Sequence, residues 1–156
     1  MDLIEALRST GAVREFEDRP VDREVVARVL DTARFAPNGG NQQAWRVVLV
    51  EDPELRRGIR DLYVPPWAPR GDRAAEAAAI ARAEARLAAE GAELDPGEFA
   101  ANFDRVPVMA VILADLRMLA ATDRDLGRYT LVGGASIYPF MWSILLAAHE
   151  EGLAGV

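Results

Sequence analysis

The sequence predicts an α+β fold in a single domain spanning residues 1–156, and three observations predict it. Val25, Val26, Val29, Leu30 and Ala33 recur at the spacing of one helical face. Two short apolar runs, residues 45–50 and 106–114, are too brief for helices and read as strands. A last run, residues 136–151, returns to helical periodicity but is apolar nearly all round. No internal repeat, low-complexity linker or shift in composition marks a second domain.

The elements follow in chain order. Residues 1–7 read as a short helix with one apolar face. Asp22 is placed to N-cap the next helix, and Pro37 forbids its continuation, because the residue before a proline is pushed out of the α region. Residues 45–50 are rich in β-branched side chains and form the first strand. Asp52-Pro53 restarts a helix, with proline at its favoured first position, to about Leu62. Residues 64–72, with Trp67 at their centre, read as a loop. Residues 73–90 are Ala, Arg and Glu-rich with a thin apolar stripe at Ile80, Ala83 and Leu87, the pattern of a surface or lid helix. The run 106–114 is almost continuously apolar, as expected of a strand covered on both faces. The final helix should sit centrally or at a subunit interface, with Pro139 in its first turn or at a kink and Gly152 as its C-terminal cap.

Composition narrows the chemistry. The chain has no cysteine, which excludes disulfides, thiolate nucleophiles and thiolate-held metal centres. All 18 basic residues are arginine, so there is no lysine for a Schiff base or a phosphate loop. His149 is the single histidine, leaving multi-histidine metal sites without ligands. A net charge of −7 argues against a nucleic-acid partner, and no apolar stretch is long enough to suggest a membrane span. The N-terminus lacks the basic-then-apolar order of a signal peptide, so the cytoplasm is the expected compartment. Any catalysis would rest on a bound cofactor, with no catalytic side chain and no metal.

The stretch "ARFAPNGGNQQAWRVVLV", residues 33–50, places two glycines between two asparagines where an ordinary turn needs one glycine. Gly39 and Gly40 would let backbone approach a flat ring or a phosphate, while Asn38 and Asn41 bring amide donors and acceptors. A plain helix-to-strand turn, in which Asn and Gly only supply positive φ, is the competing reading.

Residues 11–50, "GAVREFEDRPVDREVVARVLDTARFAPNGGNQQAWRVVLV", resemble the N-terminal signature of the FMN-dependent nitroreductase family. Val13, Arg14, Phe16, Pro20, Val21, Ala36, Pro37, Gly39, Asn41, Gln43 and Trp45 match it in order and spacing. Residues 139–155, "PFMWSILLAAHEEGLAG", are similar to the family's central dimer helix. The resemblance implies a three-layer sandwich, a mixed sheet flanked by helices, in a version lacking the family's C-terminal part. It implies FMN as cofactor and NAD(P)H as reductant, with hydride passing through flavin to a nitroaromatic, quinone or related small-molecule acceptor. It implies a homodimer in which the 38–41 loop contacts flavin across the subunit boundary. A non-catalytic flavin-binding or dimerisation module is the alternative.

Carried over residue by residue, the resemblance assigns cofactor contacts to Arg14, Pro37, Asn38, Gly39 and Asn41. Arg14 is the phosphate candidate, because a guanidinium binds phosphate oxygens bidentately and keeps its charge. Where the family commonly carries Arg-x-Ser before this arginine, the chain has Thr10, Gly11 and Ala12. Arg8 and Ser9 lie just upstream and replace those contacts if the first helix ends to suit. Other candidates have simpler readings. His149 suits a helix C-terminus, Asp123 with Asp125 and Glu150 with Glu151 suit solvated faces, and Trp45 suits a core anchor. Trp67 is open between covering a substrate pocket and filling a satellite cluster.

Overall fold

The computed structural model describes residues 2–63, 96–119, 122–123, 125–127 and 132–156, with the backbone alone at 96–98. The expected loop 64–72, Trp67 and the expected helix 73–90 lie outside the described residues. The chain divides into two compact units. The first comprises Met1–Val13, Val21–Val48 and Ala110–Val156, and the second Arg14–Pro20 and Leu49–Met109.

In the first unit, α1 (Leu3–Ser9) begins at Asp2, whose carboxylate accepts from the backbone N–H groups of Ile4 and Glu5. Helix α2 (Arg23–Ala33) begins at the expected cap, Asp22, which accepts from the N–H of Glu24 at 3.0 Å. Such a cap satisfies one of the orphan donors of the first turn. The helix ends at Ala33 with Arg34 as its C-terminal cap, and Ala36 is buried just before Pro37.

Strand β1 (Trp45–Leu49) pairs with β2 (Ala110–Ala114). The N–H of Asp115 donates to the carbonyl of Ala44 at 2.8 Å, and the N–H of Val50 to that of Met109 at 2.9 Å. Numbers rise along one strand as they fall along the other, so the pair is antiparallel. An isolated parallel bridge joins Ala12 to Gly155. The expected strand 106–114 is therefore shortened. Pro107 has no N–H to give a ladder, and the N–H of Val106 closes a 3-10 turn onto the carbonyl of Phe103. Nor is β2 covered on both faces among the described residues, because Leu113 stands half in the open.

Helix α5 (Tyr138–Glu150, numbered after the two helices of the second unit) carries Pro139 in its first turn, where the missing N–H costs nothing. Its other end is closed by Gly152 at φ +73°. The N–H of Gly152 donates to the carbonyl of His149 at 3.1 Å and that of Leu153 to Ala148 at 2.8 Å. These are the paired bonds of a Schellman cap. The core joins α2, β1 and α5 through Ala33, Ala36, Trp45 and Phe140, with Val47, Ile112, Ile137 and Ile144 packed around them. The half-exposed Arg28 on α2 grips Glu151 with two bonds, 2.9 and 2.7 Å, just beyond α5. That hydrogen bond holds the Glu151 carboxyl below its ordinary range.

The second unit contains α3 (Pro53–Tyr63), capped by Asp52, and α4 (Pro96–Asn102), which the sequence reading left unassigned. Phe16, Phe99, Phe103 and Tyr63 form a row of tilted aromatic neighbours at 6.3, 6.3 and 4.9 Å. Arg56 donates to the carbonyl of Val106, and Arg60 reaches Asp104 at 3.4 Å.

Candidate functional site

Residues 38–43 build a loop whose backbone would not hold this shape unaided. Gly40, Asn41 and Gln43 all have positive φ, at +59°, +52° and +46°. Glycine adopts this region freely, and asparagine tolerates it, whereas glutamine is costly there. Bonds around the loop supply the compensation. Asn38 accepts from the N–H of Gln43 at 2.8 Å through Oδ1, and donates through Nδ2 to the carbonyl of Ala36 at 3.1 Å. Its amide, expected to face a ligand, is thus turned into its own loop.

From 97 residues away, Ser136 joins the same structure. Its Oγ accepts the N–H of Gly39 at 3.0 Å. Between the loop and the start of α5 lies an open groove of about 390 Å³, lined by Pro37, Asn38, Gly39, Val132, Ala135, Ser136 and Pro139. The prolines, Val132 and Ala135 make its walls apolar, and Ser136 supplies a hydroxyl. Gly39 has room for a Cβ, which would sit 3.6 Å from the Ser136 oxygen, and its φ is not in the left-handed region. Internal packing therefore does not require glycine at position 39. Gly40 is different, since its φ favours glycine directly.

The remaining expected residues are dispersed. Pro37, Asn38 and Gly39 line the groove, whereas Asn41 is exposed and accepts from Gln43 Nε2 at 3.4 Å. Arg8 is exposed in the last turn of α1. Ser9 is committed elsewhere, donating to the carbonyl of Glu5 at 2.7 Å and lying 2.8 Å from His149 Nε2. A hydroxyl has one proton, so with that proton on Glu5 the imidazole donates to Ser9. His149 thereby ties α5 to α1. Arg14 belongs to the second unit, exposed and without a hydrogen-bond or ion-pair partner among the described residues.

Asp123 departs from the solvated face expected of it. It is buried, and its carboxylate oxygens lie 3.4 Å from the N–H of Val132, at the groove's edge. Val132, Ala135 and Ser136 were missed as site residues. The signal available was the small-residue run 133–136 immediately before a bulky apolar helix.

A profile of the nitroreductase family matches residues 7–156, nearly the whole chain. The chain belongs to the nitroreductase family. Among curated relatives, 5,6-dimethylbenzimidazole synthase of Rhodobacter capsulatus is 33% identical over 105 residues, covering 67% of this chain and 50% of that protein. Among solved structures, an FMN- and NADPH-dependent nitroreductase variant from a Sphingopyxis strain aligns with a TM-score of 0.59 at 26% identity, over 99% of this chain and 72% of the other. Iodotyrosine deiodinase bound to FMN and 3-iodo-L-tyrosine aligns with a TM-score of 0.62 at 21% identity, over 99% and 73%, a likeness of fold. The chain spans from 22% to 50% of the length of the first curated relatives it matches. The α+β, nitroreductase-like fold agrees with the reading from sequence. Among the described residues no helix is long and apolar enough to cross a membrane.

Proposed function

We propose that this chain is a flavin-dependent oxidoreductase that uses FMN to move hydride from NADH or NADPH to a small organic acceptor. The observation that carries the reading is the groove between the 38–43 loop and Ser136, within a chain that matches the nitroreductase family. The groove suits a flat heterocycle. Its lining is largely apolar and includes a glycine with space at Cβ and a serine hydroxyl. Such a site holds a ring by contact and fixes its orientation by a few polar groups.

A bound flavin supplies the redox chemistry, and the protein's residues bind, orient and exclude water. Pro37 and Pro139 offer rigid apolar contacts, and Gly39 allows close backbone approach. Arg14, exposed and unpaired among the described residues, is the residue we assign to the flavin phosphate. The relatives are named for different activities, among them an iodotyrosine deiodinase and a 5,6-dimethylbenzimidazole synthase. The acceptor is therefore assigned only as a small molecule.

We also propose a homodimer through α5, on which Met141 and Trp142 are 42% and 41% exposed on a helix that is otherwise strongly apolar. Sedimentation over a wide concentration range tests it, and a monomer throughout would overturn it. The activity is tested by mixing FMN-loaded protein with NADPH, and separately NADH, without oxygen. Loss of flavin absorption near the visible maximum supports the oxidoreductase reading. Bound flavin that neither nucleotide reduces would leave a flavin-binding module instead.

A further inference from the structure

We propose that Ser136 is the positioning residue of this groove, the latch that sets the glycine loop for whatever the groove holds. Three of the four residues 40–43 occupy the left-handed region, two of them not glycine, so the loop conformation must be maintained by bonds made to it. Asn38 supplies two from within the loop. Ser136, a half-buried residue 97 positions away, supplies one from outside, its Oγ accepting from the N–H of Gly39. This is also the bond nearest the open Cβ position of Gly39, where a ligand can come close to backbone.

The Ser136 hydroxyl keeps a further capacity. Its oxygen accepts from Gly39, and its proton has no acceptor among the described residues. Ser136 borders the groove, so that proton is available to a carbonyl, ring-nitrogen or hydroxyl acceptor on the occupant. Holding the loop and meeting the ligand are then two functions of a single atom group. The second of them rests on the flavin reading above; the first does not.

The test has an arm for each. Amide exchange at Gly39 is followed by NMR without ligand in the wild type, Ser136→Ala and Ser136→Thr. Loss of one hydrogen bond of ordinary strength should speed exchange at Gly39 about fivefold in Ser136→Ala, with Ser136→Thr restoring protection. Equal exchange in wild type and Ser136→Ala overturns the latch. FMN titration of the same three proteins follows, with circular dichroism confirming that each is folded. A dissociation constant raised about tenfold by Ala and rescued by Thr supports the hydroxyl's role toward the ligand. An Ala variant that binds as tightly as wild type overturns that role. A wild type that binds no FMN, with the exchange pattern as expected, keeps the latch and overturns the flavin reading alone.

Discussion

Trp45 and Phe140 stack face to face, their ring centroids 4.3 Å apart and their planes 6° from parallel. One ring comes from the first residue of β1 and the other from the first turn of α5, and both are buried. The stack therefore joins the strand leaving the glycine loop to the helix that follows Ser136. It fixes both sides of the groove to a common core.

Phe140→Ala should destabilise the first unit by about 3–5 kcal/mol, the usual cost of removing a buried aromatic ring. Phe140→Leu should cost less, because it leaves a smaller cavity. Urea unfolding followed by Trp fluorescence measures both, and equal midpoints for wild type and the Ala variant would contradict the assigned core.

The two glycines of the loop should respond differently. Gly40→Ala meets a backbone at φ +59° and should cost about 1–2 kcal/mol of stability. Gly39→Ala should be nearly neutral, since its φ is unremarkable and space exists for a Cβ. Gly39→Val should stay folded and lose flavin affinity, because it adds bulk beside Ser136 at the groove lining. Thermal melts and FMN titrations of these variants separate fold from ligand approach, and full flavin affinity in folded Gly39→Val would remove the close-approach argument.

Arg14→Ala should weaken FMN binding by about 1.5–3 kcal/mol, the worth of a hydrogen bond to a charged group. Arg57, likewise exposed, is the control. Equal dissociation constants for the two variants would remove Arg14 from the site.

Asp115 gives a pH-dependent prediction. The Arg117 side chain binds its carboxylate at 2.9 and 2.6 Å, and with a further bond from the Arg117 N–H lowers its pKa from 3.8 to about 2. The folded state thus binds this proton less readily than the unfolded one. The contribution to stability is present above the ordinary carboxylate pKa and is lost as pH falls toward 2. A carboxyl titration by NMR should find the low midpoint, and Arg117→Ala should return it toward the ordinary value. An unchanged midpoint in that variant would assign the shift elsewhere.

Local chemistry made much of this legible in advance. Asp22, Pro37, Asp52 with Pro53, and Gly152 each act through neighbours a few residues away, and each sits where its type demands. Helix α4 shows no long apolar periodicity in its seven residues, and its one local signal is Pro96 at the first position, where proline is welcome. The early start assigned to β2, at residue 106, came from apolar content alone, which does not register that Pro107 has no donor for a ladder. At the site, Pro37, Asn38 and Gly39 were visible as a motif, whereas Ser136 and Pro139 were not. The contact of Ser136 with Gly39 spans 97 residues, and no periodicity encodes so distant a bond. The inward turn of Asn38 was equally hidden, because an amide that can serve a ligand can also serve its own loop.

The groove beside Gly39 and Ser136 is the place proposed above for the flavin. The most direct measurement is the absorbance spectrum of the protein after mixing with FMN and passage through a desalting column. Wild type should elute yellow, with flavin equimolar to protein and its visible band altered from that of free FMN, and Gly39→Val should elute colourless. A wild-type fraction without flavin at saturating loading, from protein shown to be folded, would contradict the account.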